Sequence, residues 1–111
     1  MLLLSISKEK RMEHNERVFL IVQTDVEAEM EEEFNRWYDE EHIPALLNVP
    51  GVITARRGIN AGHGRKYVAI YEHENLNVQH TQAYHAAIET EWTKRIRPYL
   101  RDLQRSIYKV I

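Results

Sequence analysis

The chain contains no cysteine. That absence excludes a disulfide framework, thiolate-ligated zinc and a thiol nucleophile together, and it fits a cytoplasmic protein. Net charge is also scarce: 15 lysines and arginines stand against 17 aspartates and glutamates, a formal −2 over 111 residues. A nucleic-acid binder needs an uncompensated basic patch to release counterions. The most basic short run, Lys94-Arg95-Ile96-Arg97, is too brief and too isolated to supply one. Long hydrophobic runs are lacking as well. Met1-Leu2-Leu3-Leu4-Ser5-Ile6-Ser7 is too short for a signal-peptide core, and Lys8-Glu9-Lys10-Arg11 follows it at once. It has no preceding basic region and no cleavage site, so neither export nor a membrane role is expected. Residues 1–15 are expected to form a flexible lead-in, and residues 16–111 a single domain.

Several site chemistries lack their signatures. The histidines are His14, His42, His63, His73, His80 and His85, and no two are spaced to chelate a metal from one helix turn or one strand. Gly62-His63-Gly64 does not open a helix and is no dinucleotide fingerprint. No serine-histidine-acid signature is present. Neither a metal nor a nucleotide cofactor is expected.

What is present is a clear order of elements. Val18-Phe19-Leu20-Ile21-Val22 reads as a strand buried on both faces. Thr24-Asp25-Val26-Glu27 matches a capping box, and Glu29, Glu31, Glu32 and Glu33 load the first turns of a helix with the charge its dipole favours. That helix is expected to reach His42 or Ala45, with Pro44 limiting its regularity and Pro50-Gly51 ending the connection. Residues 52–59 and 65–72 form a hairpin around the turn Asn60-Ala61-Gly62-His63-Gly64. Residues 78–97 read as helix, in one piece or two, stopped by Pro98. Ser106 to Ile111 is the last strand. The order is β-α-β-β-α-β, an α+β ferredoxin-like fold with an antiparallel sheet. Right-handed crossovers put both helices on one face. The other face of two apolar strands then needs a cover, and a second copy of the sheet would supply it. A homodimer built by sheet-to-sheet packing is expected.

The segment Phe34-Asn35-Arg36-Trp37-Tyr38-Asp39-Glu40-Glu41-His42-Ile43-Pro44 concentrates the chemistry. At about 100° per residue, Met30, Phe34, Trp37 and Ala45 share an apolar sector with Tyr38 beside it. Glu41 falls in the middle of that sector and His42 at its margin. A carboxylate among aromatics either raises its pKa or finds a partner, and Arg56 or Arg57 would serve. Those two arginines are strand neighbours and point to opposite faces, with Arg57 favoured as the inward one. On the second helix Tyr84, Ala87 and Ile88 share a stripe, His80 lies one turn earlier and His85 lies on another side. Tyr84 and Trp92 are expected as pocket walls. Core packing alone would also account for the aromatics.

The pattern Phe34, Trp37, Tyr38, His42, followed by Pro50-Gly51, resembles the dimeric α/β-barrel superfamily, and within it the small EthD-like proteins. Ala55-Arg56-Arg57-Gly58, Tyr84 with Ala86-Ala87, and Trp92 before Arg95 belong to the same likeness, which covers residues 17–111. It implies a pocket position for His42. The superfamily spans quinol monooxygenases without cofactor, isomerases, cyclases, dehydratases and haem-degrading enzymes, so fold alone selects none. By that analogy alone, His42 or His85 would ligate a haem iron. The expected function is proton-transfer chemistry on a cyclic or aromatic carbonyl metabolite. His42 and Glu41 would be catalytic, and Trp37, Tyr38, Arg57, Tyr84 and Trp92 would bind substrate. The alternatives are a cofactor-free monooxygenase of quinols or polycyclic phenols, and a non-catalytic ligand-binding or assembly module.

Overall fold

A computed structural model describes residues 16–111. The expected lead-in, residues 1–15, lies outside the described residues. The four strands are β1 (Val18–Val26), β2 (Val52–Ile59), β3 (Tyr67–His73) and β4 (Leu100–Lys109). They form one sheet in the order β2-β3-β1-β4, and every neighbouring pair is antiparallel. This is the ferredoxin-like α+β topology expected from the order of elements.

Register fixes what each face carries. Val18, Leu20, Val22 and Thr24 lie opposite His73, Tyr71, Ala69 and Tyr67. All of these except the half-buried Val22 are buried. The alternate residues Phe19, Ile21 and Val68 are half-buried, and Ile70 and Tyr108 are exposed. The sheet therefore has a closed face and an uncovered apolar face.

The closed face is covered by a first helical layer and a second. The first layer opens with a 3-10 turn (Ala28–Met30) and continues as α1 (Glu31–Trp37), a π-helical turn (Tyr38–His42) and α2 (Ile43–Leu47). The capping box expected at Thr24 is not formed. Thr24 belongs to β1, and its hydroxyl donates to the carbonyls of Asp25 (2.8 Å) and Arg101 (3.0 Å). Strand pairing claims the residue because β4 runs beside it, and the helix begins later.

The helix also runs past His42 and Ala45. Pro44 has no N–H, and its ring crowds the carbonyl four residues back. The chain relieves this one residue earlier. The Ile43 N–H bonds to the Tyr38 carbonyl, five residues back rather than four, which is the mark of a π turn. Tight packing follows at Gly51, whose φ is +95°. A Cβ there would stand 2.5 Å from Cγ2 of Val78, so only glycine lets the two layers approach.

The second layer comprises a 3-10 turn (Val78–His80), α3 (Gln82–Ile88), α4 (Glu91–Ile96) and a closing 3-10 turn (Arg97–Tyr99). It is thus in two pieces. The Thr81 hydroxyl caps α3 by accepting from the Tyr84 N–H (3.2 Å), and the Thr90 hydroxyl caps α4 through the Thr93 N–H (3.0 Å). No helix among the described residues is long and apolar enough to cross a membrane.

β4 begins at Leu100, six residues before the expected start at Ser106. Arg101, Asp102, Gln104 and Arg105 mask the strand in the sequence. It is an edge strand that bears polar side chains, and Asp102 takes a φ of +56° near a register shift opposite Gln23 and Asp25.

Candidate functional site

Phe34 is fully buried at the centre of the core, and the site is built outward from it. Its ring lies 5.1 Å from Tyr38 in an edge-on contact, 5.0 Å from Tyr67 and 6.2 Å from Trp37. Those contacts hold Trp37 and Tyr38 in place. The π turn then adds one residue, so the residue above Trp37 is five positions on. The His42 ring stacks on Trp37 at 4.2 Å with planes 24° apart, and it meets Tyr38 edge-on at 5.2 Å.

These three side chains line a cavity of about 350 Å³ between the sheet and the helices. Tyr71 and Val22 rise into it from the sheet, Tyr84 and Ile88 from α3, and Ile96 from α4. At this size it sits at the lower end of small-molecule sites. Among the described residues no cluster of three or more histidines or acids is arranged around a metal position.

Electrostatics in the cavity follow from burial. The His42 imidazole is pushed down from 6.5 to about 4, first by desolvation and then by the nearby Arg97 charge. Its Nδ1 is buried without a hydrogen-bond partner. Burial raises both the Tyr38 and Tyr71 phenols, which also hydrogen-bond to each other. At neutral pH the cavity therefore presents a neutral imidazole and two neutral phenols. Such groups exchange hydrogen bonds with a ligand oxygen and move a proton without carrying charge at rest.

His73 is a second buried imidazole, edge-on to Tyr84 at 5.8 Å, and desolvation lowers its pKa too. Both groups bind a proton less readily in the folded chain than in the unfolded one. The unfolded chain therefore takes up protons first as pH falls. Stability should be complete above about pH 6.5 and decline toward pH 4, with His42 alone costing on the order of 2–3 kcal/mol. Urea unfolding from neutrality down to about pH 4 measures this, and a flat profile would contradict the burial of the two rings.

The remaining expected residues lie elsewhere. Glu41 is turned out of the apolar sector by the π turn and does not line the cavity. Its carboxylate accepts from the Thr90 hydroxyl at 2.8 Å. The Thr90 and Thr93 hydroxyls are 3.0 Å apart, and Trp37 Nε1 donates to Thr93 at 3.1 Å. Glu41 is thereby tied to Trp37, and so to the His42 stack, without touching the cavity. Arg57 does sit on the helix-facing side of β2, opposite Ala69, while Arg56 is exposed on the other. Its guanidinium covers the Tyr38 ring at 4.3 Å and donates to Asn35 (2.7 Å) and Asp39 (3.3 Å), in a separate hollow beside Tyr67. Trp92 packs on the core between Arg36 (5.7 Å) and Arg95 (6.0 Å), outside the cavity. His85, placed by helical spacing on another side from Tyr84, in fact lines the cavity together with His80.

The sequence reading missed Tyr71 and Arg105. Tyr71 was legible: Tyr67, Ala69, Tyr71 and His73 alternate, so they share the face that meets the helices. Arg105 was hidden with the first half of β4. Opposite Val22, it reaches the cavity, and its Nη2 stands 3.3 Å from both the Tyr84 hydroxyl and the Gln79 side-chain carbonyl.

A family described as a domain of unknown function, DUF4286, matches residues 17–102. The chain belongs to the DUF4286 family. No curated protein matches it in sequence. Solved structures do match in shape. A protein from Bordetella bronchiseptica, described as a candidate antibiotic biosynthesis monooxygenase, superposes with a TM-score of 0.69 at 14% identity, covering 86% of this chain and 97% of that one. SnoaB from Streptomyces nogalater, described as a cofactor-independent oxygenase, gives 0.56 at 16% identity over 85% and 92% of the two chains. A dimeric protein of unknown function with a ferredoxin-like fold, from Bacteroides fragilis, gives 0.57 at 17% identity over 84% and 95%. At such identities the likeness shows the fold alone. None of these three is described as EthD-like.

Proposed function

We propose that this DUF4286 chain is a small, cofactor-independent oxygenase of a cyclic or aromatic phenol. One observation carries the reading: a neutral imidazole stacked on Trp37 stands beside the Tyr38–Tyr71 phenol pair in a cavity that Val22, Leu46, Ile88 and Ile96 also line. A phenol in such a site passes its proton toward His42. The phenolate then raises the imidazole's proton affinity by pairing with it. The electron-rich ring itself reduces oxygen: one oxygen atom enters the ring, the other leaves as water, and the phenol becomes a quinone. The shape shared with SnoaB and with the Bordetella protein supports this class. The EthD-like first-helix pattern supports the pocket role of His42. Trp37, Tyr38 and Tyr84 would enclose the ring. Glu41, Arg57 and Trp92 would act through the cavity wall, as positioning residues.

The test is oxygen uptake by metal-stripped protein with 1,4-naphthohydroquinone and 1-naphthol. Uptake above the autoxidation rate is expected, with 1-naphthol giving 1,4-naphthoquinone and water, and the hydroquinone giving 2-hydroxy-1,4-naphthoquinone and water. No uptake with any phenol that binds removes the oxygenase reading.

The second reading is proton transfer alone, as isomerisation, dehydration or cyclisation of a carbonyl compound. The neutral His42 favours it equally, since it needs no oxidant. Turnover that persists under argon selects it.

We further infer a homodimer. Phe19, Ile21, Val68, Ile70 and Tyr108 share the uncovered sheet face, and the Bacteroides fragilis protein of this shape is dimeric. Burying about 800 Å² per chain would make a standard interface. Sedimentation should give twice the 13.2 kDa chain mass, and Ile70→Glu should give the single chain. A wild-type monomer at micromolar concentration would sink this.

A further inference from the structure

The lining of the cavity is one-sided in charge. Its charged side chains are Arg97 and Arg105, with no aspartate or glutamate among the lining residues. The chain as a whole carries 17 acids and a net charge of −2, so this is a local feature. The two arginines differ. Arg97 is already balanced by Glu89 at 3.0 Å. Arg105 forms no ion pair among the described residues. Among the described residues only its Nη2 has partners, the neutral oxygens of Gln79 and Tyr84, both at a long 3.3 Å. Nε and Nη1, with three N–H donors, make no hydrogen bond among the described residues.

We propose that the cavity takes an aromatic carboxylate, with the ring against Trp37 and Tyr38 and the carboxylate on the guanidinium of Arg105. The proposal rests on the reading of this cavity as a small-molecule site and names the class of molecule. Arginine's planar fork matches a carboxylate with two parallel hydrogen bonds. No acid in the lining repels the anion. Arg105 is itself exposed, so the carboxylate would meet it at the solvent side of the cavity while the ring enters the apolar part. A neutral ligand of the same shape would gain the ring contacts and leave the arginine unbalanced.

Binding of 2-naphthoate, 2-naphthamide and 2-naphthol to the full chain tests this, by calorimetry at low salt. Wild type should bind the acid about tenfold or more tighter than the amide, in line with a charge-assisted hydrogen bond. Added salt should shrink that preference. Arg105→Gln should abolish it while the affinity for the amide holds, which also shows that the variant is folded. Arg56→Gln, on the opposite face, should change neither. Equal binding of acid and amide in wild type overturns the proposal. So does a preference that survives Arg105→Gln. Tighter binding of the naphthol than of the acid, growing as the phenol ionises, assigns the anion site to a phenolate and overturns the carboxylate. If none of the three binds, the cavity itself is not a small-molecule site and both readings fall.

Discussion

His42→Ala is expected to lower turnover of a phenol by about 10²–10⁴-fold while the chain stays folded. The expectation follows from the stack on Trp37. The imidazole is held on one aromatic face and against the edge of Tyr38, so it cannot swing away from a ligand in the cavity. Alanine removes both the proton-accepting nitrogen and the surface the ligand meets. A stability loss of about 1–2 kcal/mol from the lost packing is expected, short of unfolding. The pH profile separates chemistry from packing. A wild-type imidazole pushed down to about 4 stays neutral through the physiological range. Activity on the acid side should therefore hold well below pH 6 and fall only as pH approaches that value. Oxygen-uptake rates across pH read this directly. Unchanged turnover in the variant would take His42 out of the chemistry.

Phe34→Ala should be the most damaging single substitution in the core, at about 3–5 kcal/mol. The ring is fully buried, and it touches Trp37, Tyr38 and Tyr67 at once, with the Arg57 guanidinium 5.5 Å from its centroid. Few atoms can move in to fill the space, because each neighbour is pinned. Tyr67 is hydrogen-bonded to Glu31 and Asn35, and Trp37 to Thr93. A domain of this size has only about 5–15 kcal/mol in total, so the variant sits near its unfolding threshold. The shift of the urea midpoint measures the loss. A loss below about 1 kcal/mol would mean the cluster closes over the gap, and the site would not depend on Phe34.

The fold was legible where the hydrophobic period was plain. β2 begins and ends at the expected Val52 and Ile59, and the blocked apolar run at Val18 is a central strand. Legibility failed where one structural demand overrode another. Thr24 has the chemistry of a cap but lies within reach of β4, and the sheet takes it. The start of β4 carries Arg101, Asp102 and Arg105 because an edge strand tolerates polar side chains on both faces. At the site, even spacing of about 100° per residue put Glu41 among the aromatics and His42 at the margin. One unequal turn reversed the two. Pro44 was the visible signal of irregularity, but a proline does not say on which side the helix yields. Arg57 was assigned the right face of its strand, and the Tyr38 ring under its guanidinium keeps it from the cavity.

The wide turn at Tyr38–His42 works as a phase shifter within a helix that otherwise keeps time. Before it, the residue count and the core agree; after it, every side chain is rotated by roughly one position, about 100°. Tightening that turn to the ordinary beat with the residue count unchanged would deliver Glu41, instead of His42, to the wall above Trp37, and removing one residue between Asp39 and Glu41 as well would bring the imidazole back. The choice of reagent is thus set by the width of one turn together with the residue count, and the extra residue and the wide turn compensate each other.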